Sequence, residues 1–173
     1  MKGTIYFTLL LGLLVTDLAN AQSVRKSQKG TVSQQIAQTM ISIEYHRPVA
    51  RGRVLFGDEG IVNYDKVWMP GANEATTIEF SEDVSINGSE LKKGKYSVWT
   101  IPGETEWTVI FSNQWDAWHS RYPEGEDELR ITAIPEEGVH MEVLAFYFPE
   151  VTEDSAILRF HWGSTVIPLV IRL

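Results

Sequence analysis

The stretch Lys66-Val67-Trp68-Met69-Pro70-Gly71-Ala72-Asn73-Glu74-Ala75-Thr76-Thr77-Ile78-Glu79-Phe80 decides the fold of this chain, together with the segments that follow it. Those are Val84-Ser85-Ile86 closing on Asn87-Gly88, then Gly94-Lys95-Tyr96-Ser97-Val98-Trp99-Thr100-Ile101-Pro102-Gly103, then Glu106-Trp107-Thr108-Val109-Ile110-Phe111. Apolar and polar residues alternate along them, the two-residue period of a strand with one buried face. Asn87-Gly88 between two such runs signals a tight type I′ hairpin. Pro102-Gly103-Glu104-Thr105 punctuates the next pair. Between the Pro70-Gly71 turn and the first strand lies a polar pair, Asn73-Glu74.

The same rhythm extends in both directions. Thr39 to His46 sets Ile41, Ile43 and Tyr45 against Ser42, Glu44 and His46. Further runs cover Asp127 to Ile134, His140 to Phe148, Ala156 to Trp162 and Thr165 to Arg172. No segment sustains a helical period. The chain is therefore predicted to be all-β, a single antiparallel β-sandwich, jelly-roll-like or barrel-like, of about eight or nine strands. The domain is expected over residues 36–173, behind a flexible polar lead-in over 22–35 that holds at most a short strand near Thr31 to Ile36.

Two connections resist a strand reading. Arg47 to Asp65 carries Pro48, Gly52, Gly57 and Gly60, and its Val54, Leu55, Phe56, Ile61 and Val62 are apolar enough to dock on the sandwich. Asn113 to Glu126 is dense in Trp115, Trp118, His119, Arg121 and Tyr122, as expected of a loop folded onto the core or onto a ligand.

The first 21 residues read as a secretory signal: Lys2, an apolar run from Ile5 to Val15, and Ala19-Asn20-Ala21 as the cleavage site. That run is shorter than the ~20 residues needed to span a bilayer. Cleavage after Ala21 leaves 152 of the 173 residues and, since it removes one Lys and one Asp, the same net charge of −8. The expected location is periplasmic or secreted. A domain of this size builds a sufficient core without disulfides, and the chain has no Cys. Its acidic balance repels phosphate backbones, which excludes nucleic acid as a partner, and no later segment is long and apolar enough for a membrane span.

Candidate chemistry is sparse. There is no Gly-x-Ser-x-Gly elbow and no Cys nucleophile. Glu44 with His46, His140 with Glu142, and His119 and His161 are metal-ligand types, but they form no zinc signature, so no metal or cofactor is expected. Arg47, Arg51 and Arg53 cluster in an acidic chain, and guanidinium forks suit anionic groups; the chain's own carboxylates are the competing partners. Of the six Trp residues, Trp107 and Trp162 alternate with core positions, whereas Trp68, Trp115 and Trp118 lie outside clean strands. The site is expected at His46, Arg53, Trp68, Asn73 and Glu74. Arg53 would fix an anionic group, Asn73 and Glu74 would read hydroxyls or amines, and Trp68 would form an apolar wall. The function expected from these residues is binding of a small polar ligand or an envelope protein or glycan. The alternative is an envelope hydrolase with Glu74 or Glu44 as general base and His46 assisting.

Several blocks resemble a bacterial family catalogued as domain of unknown function 2911. They are Glu44-Tyr45-x-Arg47-Pro48 with Gly52-Arg53-x-x-Phe56-Gly57, Lys66-Val67-Trp68-x-x-Gly71-Ala72-Asn73-Glu74-Ala75-Thr76-Thr77, and Gly94-x-Tyr96-Ser97 with Ile101-Pro102-Gly103. Glu106-Trp107-Thr108-Val109-Ile110 and Trp162 followed by Val166-Ile167-Pro168 continue the likeness. The resemblance implies an exported, mostly β domain with no assigned activity, cofactor or catalytic residue. Met69-Pro70 departs from the Arg-Thr expected at that place in the family.

Overall fold

The computed structural model describes residues 24–173, so the signal reading of residues 1–21 lies outside the described residues. Ten strands form: β1 (Gln28–Ile36), β2 (Thr39–Arg47), β3 (Thr77–Phe80), β4 (Val84–Ile86), β5 (Ser89–Leu91), β6 (Gly94–Ile101), β7 (Trp107–Ser112), β8 (Asp127–Ala133), β9 (Glu136–Val151) and β10 (Ser155–Arg172). They make a six-stranded sheet in the order β1-β2-β3-β6-β7-β8 and a four-stranded sheet in the order β5-β4-β10-β9. The pairings between named strands are antiparallel. The two sheets pack as a β-sandwich, and no described helix is long and apolar enough to cross a membrane.

The alternation read in the sequence becomes the core. Ile41, Ile43 and Tyr45 of β2, Trp107, Val109 and Phe111 of β7, and Leu158, Phe160 and Trp162 of β10 all bury their side chains between the sheets. Asn87 and Gly88 take φ values of 49° and 84°, and Ile86 pairs with Ser89 across them, the two-residue hairpin their sequence demands.

Three departures from the sequence expectation have local causes. The lead-in is strand β1 from Gln28 onward, longer than the short strand expected, and it turns into β2 through Ala37 at φ 46°, with Ile36 opposite Thr39. As a sheet edge it is exposed on most positions, so its polar sequence does not preclude a strand. The runs Ala156–Trp162 and Thr165–Arg172 belong to one strand. Its buried positions switch from Leu158, Phe160 and Trp162 to Ile167, Leu169 and Ile171, and register shifts flank Gly163, which has φ 62°. An extra residue at a β-bulge inverts the inward and outward faces in this way. Lastly, the Arg47–Asp65 connection docks through Ala50, Leu55, Phe56 and Val62, while Val54 and Ile61 face solvent.

The centre of the larger sheet is buried on both faces. Trp99 of β6 and Ile110 of β7 point away from the sandwich core into a second cluster with Met69 and Ala75, closed by Ala117 and Tyr122. That outer cluster positions the site, because the two loops covering it also wall a cleft.

Candidate functional site

The first wall is an excursion from the sheet. Beyond β3, the pairing along β6 continues through Val98 N–H to Thr76 O (2.8 Å) and the reciprocal bonds between Trp68 and Thr100 (2.8 and 2.7 Å). Residues 69–75 loop out between these contacts. The buried Thr76 hydroxyl closes the loop by donating to Pro70 O at 2.7 Å. At the tip Asn73 adopts φ 64°, a left-handed conformation that Asn tolerates better than most residues.

The second wall is the Asn113–Glu126 connection. Ala75 N–H donates to Ala117 O (3.0 Å) and His119 N–H to Asn73 O (3.0 Å), so the two loops are clasped by backbone around a bridge between Glu74 and Trp118. Tyr122 anchors the far side, its ring edge-on to Trp99 at 5.3 Å and its hydroxyl donating to Asp127 at 2.6 Å.

Between this clasp and the outer face of β1 and β2 lies a cleft of about 440 Å³. Glu44 and His46 enter it from the outward positions of β2, Lys29 from β1, Lys95 from β6, Glu74 from the first loop and Trp115 from the second. Lys29 pairs with Glu44 at 3.0 Å, His46 Nε2 lies 3.5 Å from Glu74, and Lys95 Nζ sits 4.5 Å above the Trp115 ring. Arg25, in the segment before β1, donates its guanidinium to Glu74. That segment is held by Gln28 Nε2 on Arg25 O (2.5 Å) and Asn73 Nδ2 on Ser27 O (3.3 Å).

The pKa values of His46 and Glu74 in the cleft are displaced downward. Burial pushes the His46 imidazole below its ordinary 6.5, overcoming the opposite pull of Glu74, so the ring is neutral at pH 7. The Arg25 hydrogen bond holds the Glu74 carboxyl below its usual range, so it is ionised.

The sequence profile described as "Protein of unknown function (DUF2911)" matches residues 27–171. The chain belongs to that family. Neither the curated proteins nor the solved structures yield a match. In this DUF2911 domain the Gly71-Ala72-Asn73-Glu74-Ala75 block is the looped-out wall of the cleft, and Glu44 at the head of the Glu44-Tyr45-x-Arg47-Pro48 block is on its floor.

Of the five residues expected at the site, the fold brings together His46 and Glu74, with Asn73 at the rim holding the Arg25 segment. Arg53 is elsewhere: its guanidinium donates to Ala50 O (2.9 Å) and Val49 O (2.6 Å), bracing its own loop. Arg47 likewise donates to Leu144 O (3.2 Å), so two of the three clustered arginines serve the backbone. Trp68 packs into the sandwich interior, stacked on Trp162 with centroids 6.0 Å apart and planes 10° from parallel. His140 and Glu142 pair with each other at 2.9 Å on β9, in another groove. No group of three or more His, Cys, Asp or Glu among the described residues is placed to hold a metal ion. The sequence reading missed Arg25, Lys29 and Lys95: strand register sets the neighbours of the two lysines, and Arg25 meets Glu74 across 49 residues of sequence.

Proposed function

We propose that this protein is an exported, non-catalytic β-sandwich module that binds a polar ligand of the cell envelope in the cleft between His46, Glu74 and Trp115. One observation carries the reading. Two loops leave the sheet, clasp each other through backbone hydrogen bonds, and wall a concavity where an aromatic face meets several charged groups. Small-molecule sites combine apolar or aromatic walls with a few convergent polar groups in this way. Export rests on the signal-like residues 1–21.

The hydrolase alternative has the 3.5 Å approach of His46 to Glu74 in its favour. Against it, Glu74 is half exposed, ionised and tied to Arg25, which makes it a weak base. A binding role needs neither a shifted base nor a nucleophile.

The test is a thermal-shift screen of the mature protein against sugars, peptidoglycan fragments and divalent ions, with metal analysis alongside. A ligand at a hundred times its Kd stabilises the fold by about 2.7 kcal/mol, or about 5–11 °C in Tm for a domain of this size. The shift is expected to vanish in the Asn73→Ala/Glu74→Ala variant. A ligand whose shift survives that variant refutes the placement, and a silent screen refutes small-ligand binding.

A further inference from the structure

The cleft is charge-balanced by the chain itself, and that balance bears on what it binds. Glu44 is matched to Lys29, Glu74 to Arg25, and the Trp115 face to Lys95, while Asp116, the third carboxylate of the lining, accepts from the Gln114 side-chain amide at 2.6 Å. A charged ligand that docks on one of the ion pairs must replace the member of its own sign. The question is therefore which of the protein's groups is able to leave.

The two paired carboxylates are fixed at their backbones. Glu44 lies within β2 between β1 and β3, with Thr31 and Thr77 as neighbours in register. Glu74 is locked by its bridge to Trp118. Among the cations, Lys29 lies opposite His46 in the β1–β2 ladder, and Lys95 lies opposite Glu79 in the β3–β6 ladder. Arg25 alone of the three precedes the first strand. The bonds described above tie its segment to the body at Ser27 and Gln28, and its side chain is about as exposed as that of Glu74 (50% and 51%). An ion pair so exposed contributes little, and a ligand group readily displaces it.

Resting on the binding reading above, we infer that the cleft takes its ligand by a guanidinium or primary ammonium group that replaces Arg25 on Glu74, with residues 24–27 acting as a tethered competitor. Glu74 then accepts the ligand's charge-assisted hydrogen bonds. The exposed edge of Trp115 flanks the ligand's carbon skeleton, and His46 stays neutral behind Glu74.

Calorimetric titration with agmatine, which carries both cationic groups, tests this against succinate as the anionic counterpart. Wild type is expected to bind agmatine and not succinate. Arg25→Gln, at an exposed position outside the strands, is expected to bind agmatine about two- to fivefold more tightly, the fold-change equivalent to that surface pair. Glu74→Gln is expected to weaken it by at least about tenfold. A peptidoglycan fragment with a free side-chain amine, before and after acetylation, separates sources. Binding lost on acetylation assigns a polymer amine, and agmatine binding without fragment binding assigns a free cation. Agmatine affinity that is absent, or that falls in Arg25→Gln, overturns the inference, as does fragment binding indifferent to acetylation. A ligand from the broader screen that needs Glu74 and binds more weakly without Arg25 would overturn it while leaving the cleft a binding site.

Discussion

Trp68→Ala separates a packing role from a ligand-wall role at the residue whose sequence context suggested the latter. The Trp68 indole stacks on Trp162, meets Phe56 edge-on at 5.7 Å and Trp107 edge-on at 6.4 Å, and lies 5.7 Å from Phe160. Its backbone is a rung beside β6 that the substitution leaves intact. Truncating a buried Trp to Ala costs about 3–5 kcal/mol, and because Trp68 is only partly buried the lower end applies, about 3 kcal/mol. At about 2–4 °C per kcal/mol for a domain of this size, Tm is expected to fall by about 6–12 °C. Urea unfolding followed by circular dichroism measures the loss. The Trp68→Leu, Trp162→Leu double-mutant cycle removes the aromatic stack from each side in turn, with a coupling expected at about 0.5–1.5 kcal/mol. Ligand binding in the folded Trp68→Ala variant is expected to be unchanged. A loss of stability below about 1 kcal/mol, accompanied by loss of binding, would refute the assignment of Trp68 to the interior.

Thr76→Val removes the hydroxyl that closes the looped-out wall and leaves Pro70 O without its donor. The expected cost is about 1–3 kcal/mol by urea unfolding, with weakened ligand binding because the wall opens. Gly163→Ala places a Cβ 2.7 Å from Leu55 Cδ1 at a left-handed φ of 62°, and is expected to cost about 2 kcal/mol without touching the cleft. The His46 imidazole, facing Glu74, Arg25, Lys29 and Glu44, is harder to protonate in the folded chain than in the unfolded one. Below its ordinary value of 6.5 the unfolded chain therefore holds the extra proton, and stability falls as pH drops through that value toward the lower folded one. His46→Gln is expected to flatten this part of the stability-versus-pH curve, and an unchanged curve would show that the ring is not held neutral.

How far such features are visible beforehand depends on where the determining partner lies. Trp107-Thr108-Val109-Ile110-Phe111 and Asn87-Gly88 carry their fold in neighbouring residues, and both form as read. The two runs of β10 looked like separate strands because a bulge at Gly163 and a turn leave the same mark, a reversal of phase beside a glycine. β1 showed only in part, as the short strand expected near Thr31 to Ile36. Ala37-Gln38 is not turn chemistry, and an exposed edge strand has no need of an apolar face, so only the pairing of Gln28–Ile36 with Thr39–Arg47 reveals its full length. The cleft divides along the same line. Asn73 and Glu74 stood out because a polar pair between a Pro-Gly turn and a strand is locally unusual. Arg53 stood out equally, yet nothing local dictates where a guanidinium in an irregular loop points, and backbone carbonyls within four residues claimed it. Lys29 and Lys95 acquire their roles from strand register, and Arg25 from a contact 49 residues away in sequence. Alternation is enough to specify a sandwich, since any residue of the right polarity fills a face. A binding cleft is specified by which charge stands opposite which, and that pairing is a property of the assembled sheets.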